Sequence, residues 1–482
     1  MTFDDTEDTP LLQTSKHEEV YKRFKPSQKR WILAIVSATG LLPLFVSGTF
    51  IPSIPQIAKD LDSTPSVISL AVSLSILAAS IGSLGGASYS TFCEFLPSLI
   101  PWNDSSSGTA DGRRPIYLVG TPLLLVGSLG VAASRNVPEL MFWRFIQAFG
   151  ASPGLAVGSG VIGDIYKLEE RGQALGIFFS AILLGPAIAP FTGGFAAHYF
   201  SWRILQTWLG AAGFLIFLVV FYFFPETYHP GERGVDKADP STLPKWRPVL
   251  INPLKALWLL RSPNLLAVTL AGFATLLTDY VLLVPLAYTI GAKYGITNEM
   301  LIGACFLPCG LGNMIGAPLA GRLSDRVVVY YRKKRGGEWY PEDRLRATIL
   351  GGVLLIPLSI FGSGLLTGYV SGRVGLALNM VCLFMNGVGV DFVLSPSAAY
   401  FVDLMHSRSA EAMAANNGFR NVIMAVAIAG IFPMVETYGV VVTDAAAALF
   451  ALAGFGLIGL TIQYGDRLRA VVDVGFSTAE NN

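Results

Sequence analysis

Long apolar runs alternate with short polar breaks along almost the whole chain. Each run holds about 20 residues with few charges, enough at about 1.5 Å of rise per residue to cross roughly 30 Å of hydrocarbon. Twelve runs are present, over 31–55, 67–87, 115–134, 138–162, 173–195, 204–224, 264–290, 299–320, 346–369, 374–398, 412–435 and 440–463. The pattern predicts an all-α membrane protein of twelve transmembrane helices. A polar stretch from Pro225 to Pro263, rich in Lys, Arg, Pro and Glu, separates the sixth run from the seventh. The predicted organisation is therefore two six-helix halves, 31–224 and 264–463, joined by a linker over 225–263 and flanked by tails over 1–30 and 464–482.

Charge placement tests the count. Basic residues of short loops stay on the cytoplasmic side. With both termini placed there, the internal segments, with Arg346 at the inner edge of span 9, hold 27 of the 34 lysines and arginines, while Lys59, Arg135, Arg203, Lys293 and Arg373 are the 5 on the other side. The sequence thus predicts both termini cytoplasmic. Residues 1–30 carry no apolar core and are read as a tail without a signal peptide. Composition agrees with the membrane assignment: 52% of residues are hydrophobic and 14% charged, with a mean hydropathy of +0.54. A net charge of +1 offers no basic field for nucleic acid. Four cysteines and four histidines show no zinc spacing, and Cys305 and Cys309, on one face of an apolar span, read as packing. Neither a nucleotide loop nor a nucleophile with its base occurs, so no cofactor, metal or enzyme activity is expected.

A charge inside a span costs several kcal/mol on insertion scales and is a functional hypothesis by default. Four stand out: Arg144 in span 4, Asp279 in span 7, Asp391 in span 10 and Arg420 in span 11. Gln147 shares a helix face with Arg144 at i+3. A buried carboxylate exchanges its proton nearer neutral pH than a solvated one, which suits Asp279 and Asp391 to proton coupling. Arg144 either tunes such an acid or holds an anion, or else pairs with an acid of a neighbouring span; one of the two aspartates either carries protons or neutralises Arg420. Asn416 stands one turn from Arg420, and the two either bind a carboxylate cargo or, with Asn386 and Asn417, hold the bundle by interhelical hydrogen bonds.

Span 5 reads GIFFSAILLGPAIAPFTGG from Gly176 to Gly194. Gly185, Ala189, Gly193 and Gly194 fall at roughly four-residue spacing and predict one smooth face for a closely packed neighbour, bent by Pro186 and Pro190. Two further segments mirror each other: GAPLAGRLSDR after span 8, with Gly321, Asp325 and Arg326, and DGRRP before span 3, with Gly112, Arg113 and Arg114. Both are read as turns on the terminal side whose charges hold helices together in one state.

With these residues the chain resembles the major facilitator superfamily, and within it the fungal twelve-span drug:proton antiporters that include quinidine-resistance, weak-acid and dityrosine exporters. Gly176, Gly185, Pro190, Gly193 and Gly194 match the antiporter motif of that family, with Ala189 as the one departure. Arg144, Gln147 and Gly150 in RFIQAFG, the GDIYKLEERG turn with Asp164 and Arg171, Trp202-Arg203 and Pro225-Glu226-Thr227 also match. The resemblance covers about residues 30–465. It implies that spans 1, 4, 7 and 10 line a central cavity, that the arginine at 144 takes part in proton transfer, and that the span 5 motif marks export, since symporters of the superfamily generally lack it.

One segment departs from the family. Its first cytoplasmic motif has an aspartate where Thr109 stands, and residues 89–110 are read as an insert: either a genuine longer loop resting at the interface through Phe92, Phe95, Leu96 and Trp102, or a retained intron or faulty gene model. The one sequon, at Asn103, faces the cytosol on the predicted topology. Together the sequence predicts a monomeric proton-coupled antiporter that exports a small organic compound (drug, secondary metabolite or organic acid), with the small-molecule cargo, protons and membrane lipid as its partners. A proton symporter on the same fold is the alternative, and a non-transporting membrane receptor a remote one. The expected site is the plasma membrane, with the vacuolar membrane second.

Overall fold

The computed structural model describes residues 23–92, 113–166, 168–227, 253–405, 409–472 and 474. Span 1 runs Pro26–Phe50 and continues through a short 3-10 turn into Ile54–Asp60. Spans 2, 3, 5 and 6 are Pro65–Phe92, Arg114–Ala133, Leu168–Tyr199 and Trp202–Phe223. In the second half, span 7 is Pro263–Leu283, span 8 combines Glu299–Ala304 with Leu307–Lys334, and span 9 runs from Pro341–Thr348 through a π turn into Ile356–Tyr369. Spans 10, 11 and 12 are Gly372–Leu404, Ser409–Tyr438 and Val440–Val471. Proline opens several of them, at a position where its missing N–H has no intrahelical partner to lose.

Among the described residues, eleven helical stretches are long and apolar enough to cross a membrane. The fourth predicted span is the twelfth, and it is broken: Val137–Ala151 and Pro153–Ile165 meet at Ser152. Pro153 has no N–H to offer the Phe149 carbonyl four residues earlier. Ser152 Oγ donates to that carbonyl instead, at 2.9 Å. The segment GAPLAGRLSDR corrects a second expectation. It is not a turn but part of the continuous helix Leu307–Lys334, because the run of Arg and Lys that ends it prolongs the helix beyond the apolar region rather than stopping it.

The two halves share most of one packing plan. Spans 2 and 4, 3 and 4, and 3 and 6 pack together in the first half, as 8 and 10, 9 and 10, and 9 and 12 do in the second; span 1 packs chiefly on span 5, whereas span 7 packs chiefly on span 12 and less on span 11. Between the halves, span 2 packs on span 11 and span 5 on span 8. The end of the bundle away from the chain ends is filled by one apolar cluster that joins Phe50, Ile54 and Ile57 to Leu286, Phe306 and Phe432. Polar contacts cross the halves at the same end: His198 Nδ1 lies 3.1 Å from Glu299 Oε2, and Ser66 Oγ donates to Glu436 Oε1 at 2.8 Å. That end is closed.

Candidate transport site

Asp279 and Asp391, singled out separately from the sequence, stand on neighbouring spans 7 and 10. Asp279 is 8% exposed, and its Oδ1 accepts from Asn386 Nδ2 at 2.7 Å and from Cys309 Sγ at 3.4 Å. Cys309 therefore serves the site as well as the packing. Asp391, on span 10, lies close enough to Asp279 for their charges to interact, and its Oδ2 has no hydrogen-bond partner among the described residues. Neither aspartate forms an ion pair among the described residues, so neither neutralises Arg420.

Arg420 and Asn416 also meet, in a cavity of about 200 Å³. Gly272 of span 7, Ser395 and Ser397 of span 10, and Asn416, Asn417 and Arg420 of span 11 supply its polar and small lining. Arg420 Nη2 donates to Asn417 Oδ1 at 3.1 Å, and its Nε has no partner among the described residues. Gly272 keeps this space open, since a Cβ there meets Leu394 Cδ2 at 3.5 Å and Arg420 Cδ at 3.8 Å. Asp391 stands one helical turn from Leu394 and Ser395 of the cavity lining.

Arg144 is fully buried in the first half. Its Nη1 donates to Gln147 Oε1 at 2.7 Å, and its guanidinium lies 4.2 Å from the centre of the Phe50 ring. Gln147 Nε2 in turn reaches Ser128 Oγ and Gln206 Oε1, each at 2.8 Å. The acid partner considered from the sequence is absent among the described residues: Arg144 is held by the Gln147 amide, the Val46 carbonyl at 3.5 Å and the Phe50 face, and its Nε and Nη2 remain unpartnered.

Span 5 uses two faces rather than the single face expected. Gly185 sits against Leu44 and Phe45 of span 1, Gly193 against the Thr49 carbonyl, and Ala189 against Gly48. Turned the other way, Gly194 and the Pro190 carbonyl meet Gly303 of span 8, and Ala187 meets Gly310. One helix thus contacts its own half and crosses to the other. Gly176 has nothing within 4 Å of the position a Cβ would take.

Charged braces close the terminal side of each half. Arg113 Nε donates to Asp164 Oδ2 at 3.0 Å, and Glu226 accepts from the backbone N–H groups of Arg113 and Arg114 at 3.0 and 3.1 Å, capping span 3. In the second half Arg344 bonds both Asp325, at 2.8 Å, and Asp403; Arg469 of span 12 bonds Glu342. Arg344, Asp403, Glu342 and Arg469 were not singled out from the sequence; their signal was an arginine or acid at the helix end equivalent to Arg113 or Asp164. Gly112 and the stretch 93–112 lie outside the described residues, as do the side chain of Arg171 and those of 87–92. Gly321 has open space around it, and Arg326 is exposed.

Comparison with known proteins agrees with this architecture. The model for the Major Facilitator Superfamily matches residues 36–428. The chain is 27% identical over 469 residues to "Efflux pump radE" of Floropilus chiversii, covering 92% of this chain and 82% of that protein. It is 25% identical over 482 residues to "Citrate exporter 1" of Aspergillus niger, covering 89% and 84%. Among solved structures, a bacterial homologue of the lysosomal transporter Spinster, inward-facing and unoccupied, aligns with a TM-score of 0.64 at 14% identity over 92% of this chain and 99% of that one. The Escherichia coli xylose transporter XylE, partially occluded and inward open, gives 0.63 at 13% identity over 95% and 100%. At such identity these structures speak for the fold.

Proposed function

The chain belongs to the major facilitator superfamily, and on that premise we propose that it is a proton-coupled antiporter that exports a small organic compound by alternating access. The observation that carries the reading is the two intramembrane acids Asp279 and Asp391, without a bonded cation among the described residues and one to two helical turns from a cavity lined by spans 7, 10 and 11, in a bundle whose far end is filled by an apolar cluster. A proton on this pair and cargo in the adjoining space exclude one another, and either one lets the halves 31–224 and 264–463 rock about the 5–8 and 2–11 contacts. Arg144 and Gln147 tune the first half, and Asn416 and Arg420 bind cargo. The direction is supported by relatives named as an efflux pump and an exporter and by the span 5 residues Gly176, Gly185, Pro190, Gly193 and Gly194. The carrier acts as a monomer with both termini in the cytosol, at the plasma membrane or, second, the vacuolar membrane.

Growth of a deletion strain on quinidine, benzoate and citrate tests the direction. Loss of the protein is expected to raise intracellular accumulation of at least one of these compounds, and its overexpression to lower it. Overexpression that raises accumulation supports uptake and removes the export reading.

A further inference from the structure

The cavity between spans 7, 10 and 11 is rich in donors and holds no acid in its lining. Among the described residues Arg420 makes one hydrogen bond, to Asn417 three residues earlier on the same span, so it braces no second helix. Its Nη1 lies beside Gly272, 3.9 Å from the place of a Cβ there, and bonds to nothing among the described residues. Asn416, one turn away, is 6% exposed, lines the same cavity and forms no side-chain hydrogen bond among the described residues. Ser395 of span 10 adds a hydroxyl that is likewise unbonded there, whereas Ser397 donates its own to the Val393 carbonyl at 2.7 Å. The interhelical bracing that the sequence also allowed belongs to Asn386, which reaches Asp279 on span 7 and Ser359 on span 9.

Donors without an internal acceptor call for an acceptor from outside, and a carboxylate suits a guanidinium best in geometry and in charge. A neutral cargo leaves the Arg420 charge unanswered, and an amine cation is repelled by it. A polyanion fits poorly too: the lining offers one cation, and Asp391, one turn from Ser395, opposes any further negative charge nearby. Volume limits the rest of the molecule. About 200 Å³ is available, and an engineered apolar cavity of about 150 Å³ holds a benzene ring. We infer that this cavity is a subsite for a monocarboxylate with a compact apolar body. The carboxylate accepts from Arg420 Nη1, the Asn416 amide and the Ser395 hydroxyl, and the body lies against Val268, Leu394 and Met413.

The inference rests on the cargo site proposed above, and binding is measured without transport so that the two fail separately. Radiolabelled benzoate is equilibrated at neutral pH with the purified full-length protein in lipid nanodiscs, and unlabelled competitors are added. Benzoate and cyclohexanecarboxylate are expected to displace the label, whereas benzamide, quinidine, citrate and chloride need at least about tenfold higher concentration to do so. Arg420→Gln is expected to weaken benzoate binding at least about tenfold, Arg420→Lys by less, and Asn416→Ala about fivefold. The order of competitors is read on the wild type alone, so misfolding of a variant leaves the test decided. No saturable benzoate binding, benzamide or citrate competing as well as benzoate, or unchanged affinity in Arg420→Gln overturns the assignment. Benzoate binding without opposed proton movement in vesicles removes the antiport reading and leaves the subsite standing; quinidine antiport without benzoate binding does the reverse.

Discussion

Arg344 and Asp403 join the start of span 9 to the end of span 10, as Arg113 and Asp164 join the start of span 3 to the end of span 4. The same brace occurs once per half and lies within each half. It stiffens the moving bodies rather than locking them to each other. The Arg344–Asp403 side chains are about one-fifth exposed, whereas Asp325, the second partner of Arg344, is 70% exposed. Asp403→Ala is expected to cost about 2 kcal/mol, because it leaves a largely buried guanidinium with only the exposed Asp325 as its partner. Asp325→Ala is expected to cost under about 1 kcal/mol. Thermal unfolding in detergent, with a clearly larger fall in Tm for the first variant, checks the contrast.

Glycine packing between spans 5 and 8 makes a second prediction. A Cβ at Gly303 meets the Pro190 carbonyl at 2.6 Å, and backbone cannot yield as a flexible side chain does. Gly303→Val is expected to hold the far end apart, so that a cysteine placed at Ser66 reacts faster with a membrane-impermeant thiol reagent. Gly176→Ala meets open space and is expected to leave transport within about twofold of wild type. Equal reactivity of the Ser66 cysteine with and without Gly303→Val contradicts the packing account.

Arg144 provides a third. Its charge is buried, and no acid bonds it among the described residues. Arg144→Met is therefore expected to leave Tm unchanged or higher, since the desolvation cost disappears with the charge. Transport is expected to fall at least tenfold. A variant that unfolds while retaining transport in the surviving fraction assigns Arg144 to structure.

The contact between His198 and Glu299 crosses the halves, with both side chains about one-third exposed. Glu299→Gln is expected to shift the population toward a state open at the far end by up to about fivefold, the range open to an exposed pair worth at most about 1 kcal/mol. Distance measurements between spin labels on spans 5 and 8 report that shift directly.

Much of this architecture is legible in the chain, because hydrocarbon imposes one rule on every span: apolar length without charge. The same rule makes Arg144, Asp279, Asp391 and Arg420 conspicuous by their cost in lipid, although Asp444, buried near the start of span 12, meets it too. What the pattern cannot reveal is partnership. Arg144 might as well have met an acid as the Gln147 amide, which Ser128 and Gln206 hold in turn, and the choice rests on the crossing of spans 3, 4 and 6. The break at Ser152 hides in an apolar run, since hydropathy does not register a missing N–H. Arg344 and Asp403 escaped notice because they stand 59 residues apart and no local motif links them. The two faces of span 5 depend on which neighbours it has, and spacing alone gives a smooth helix without saying what lies against it.

The central claim is opposed movement of cargo and protons. Proteoliposomes holding the purified protein, a lumen more acidic than the medium and a trapped pH-sensitive dye test it most directly, with quinidine, benzoate and citrate offered outside and protein-free liposomes as the passive control. Antiport predicts that at least one compound accumulates inside while the lumen turns alkaline beyond the control. Further acidification of the lumen as a compound enters, or no change beyond the control for any of the three, contradicts it.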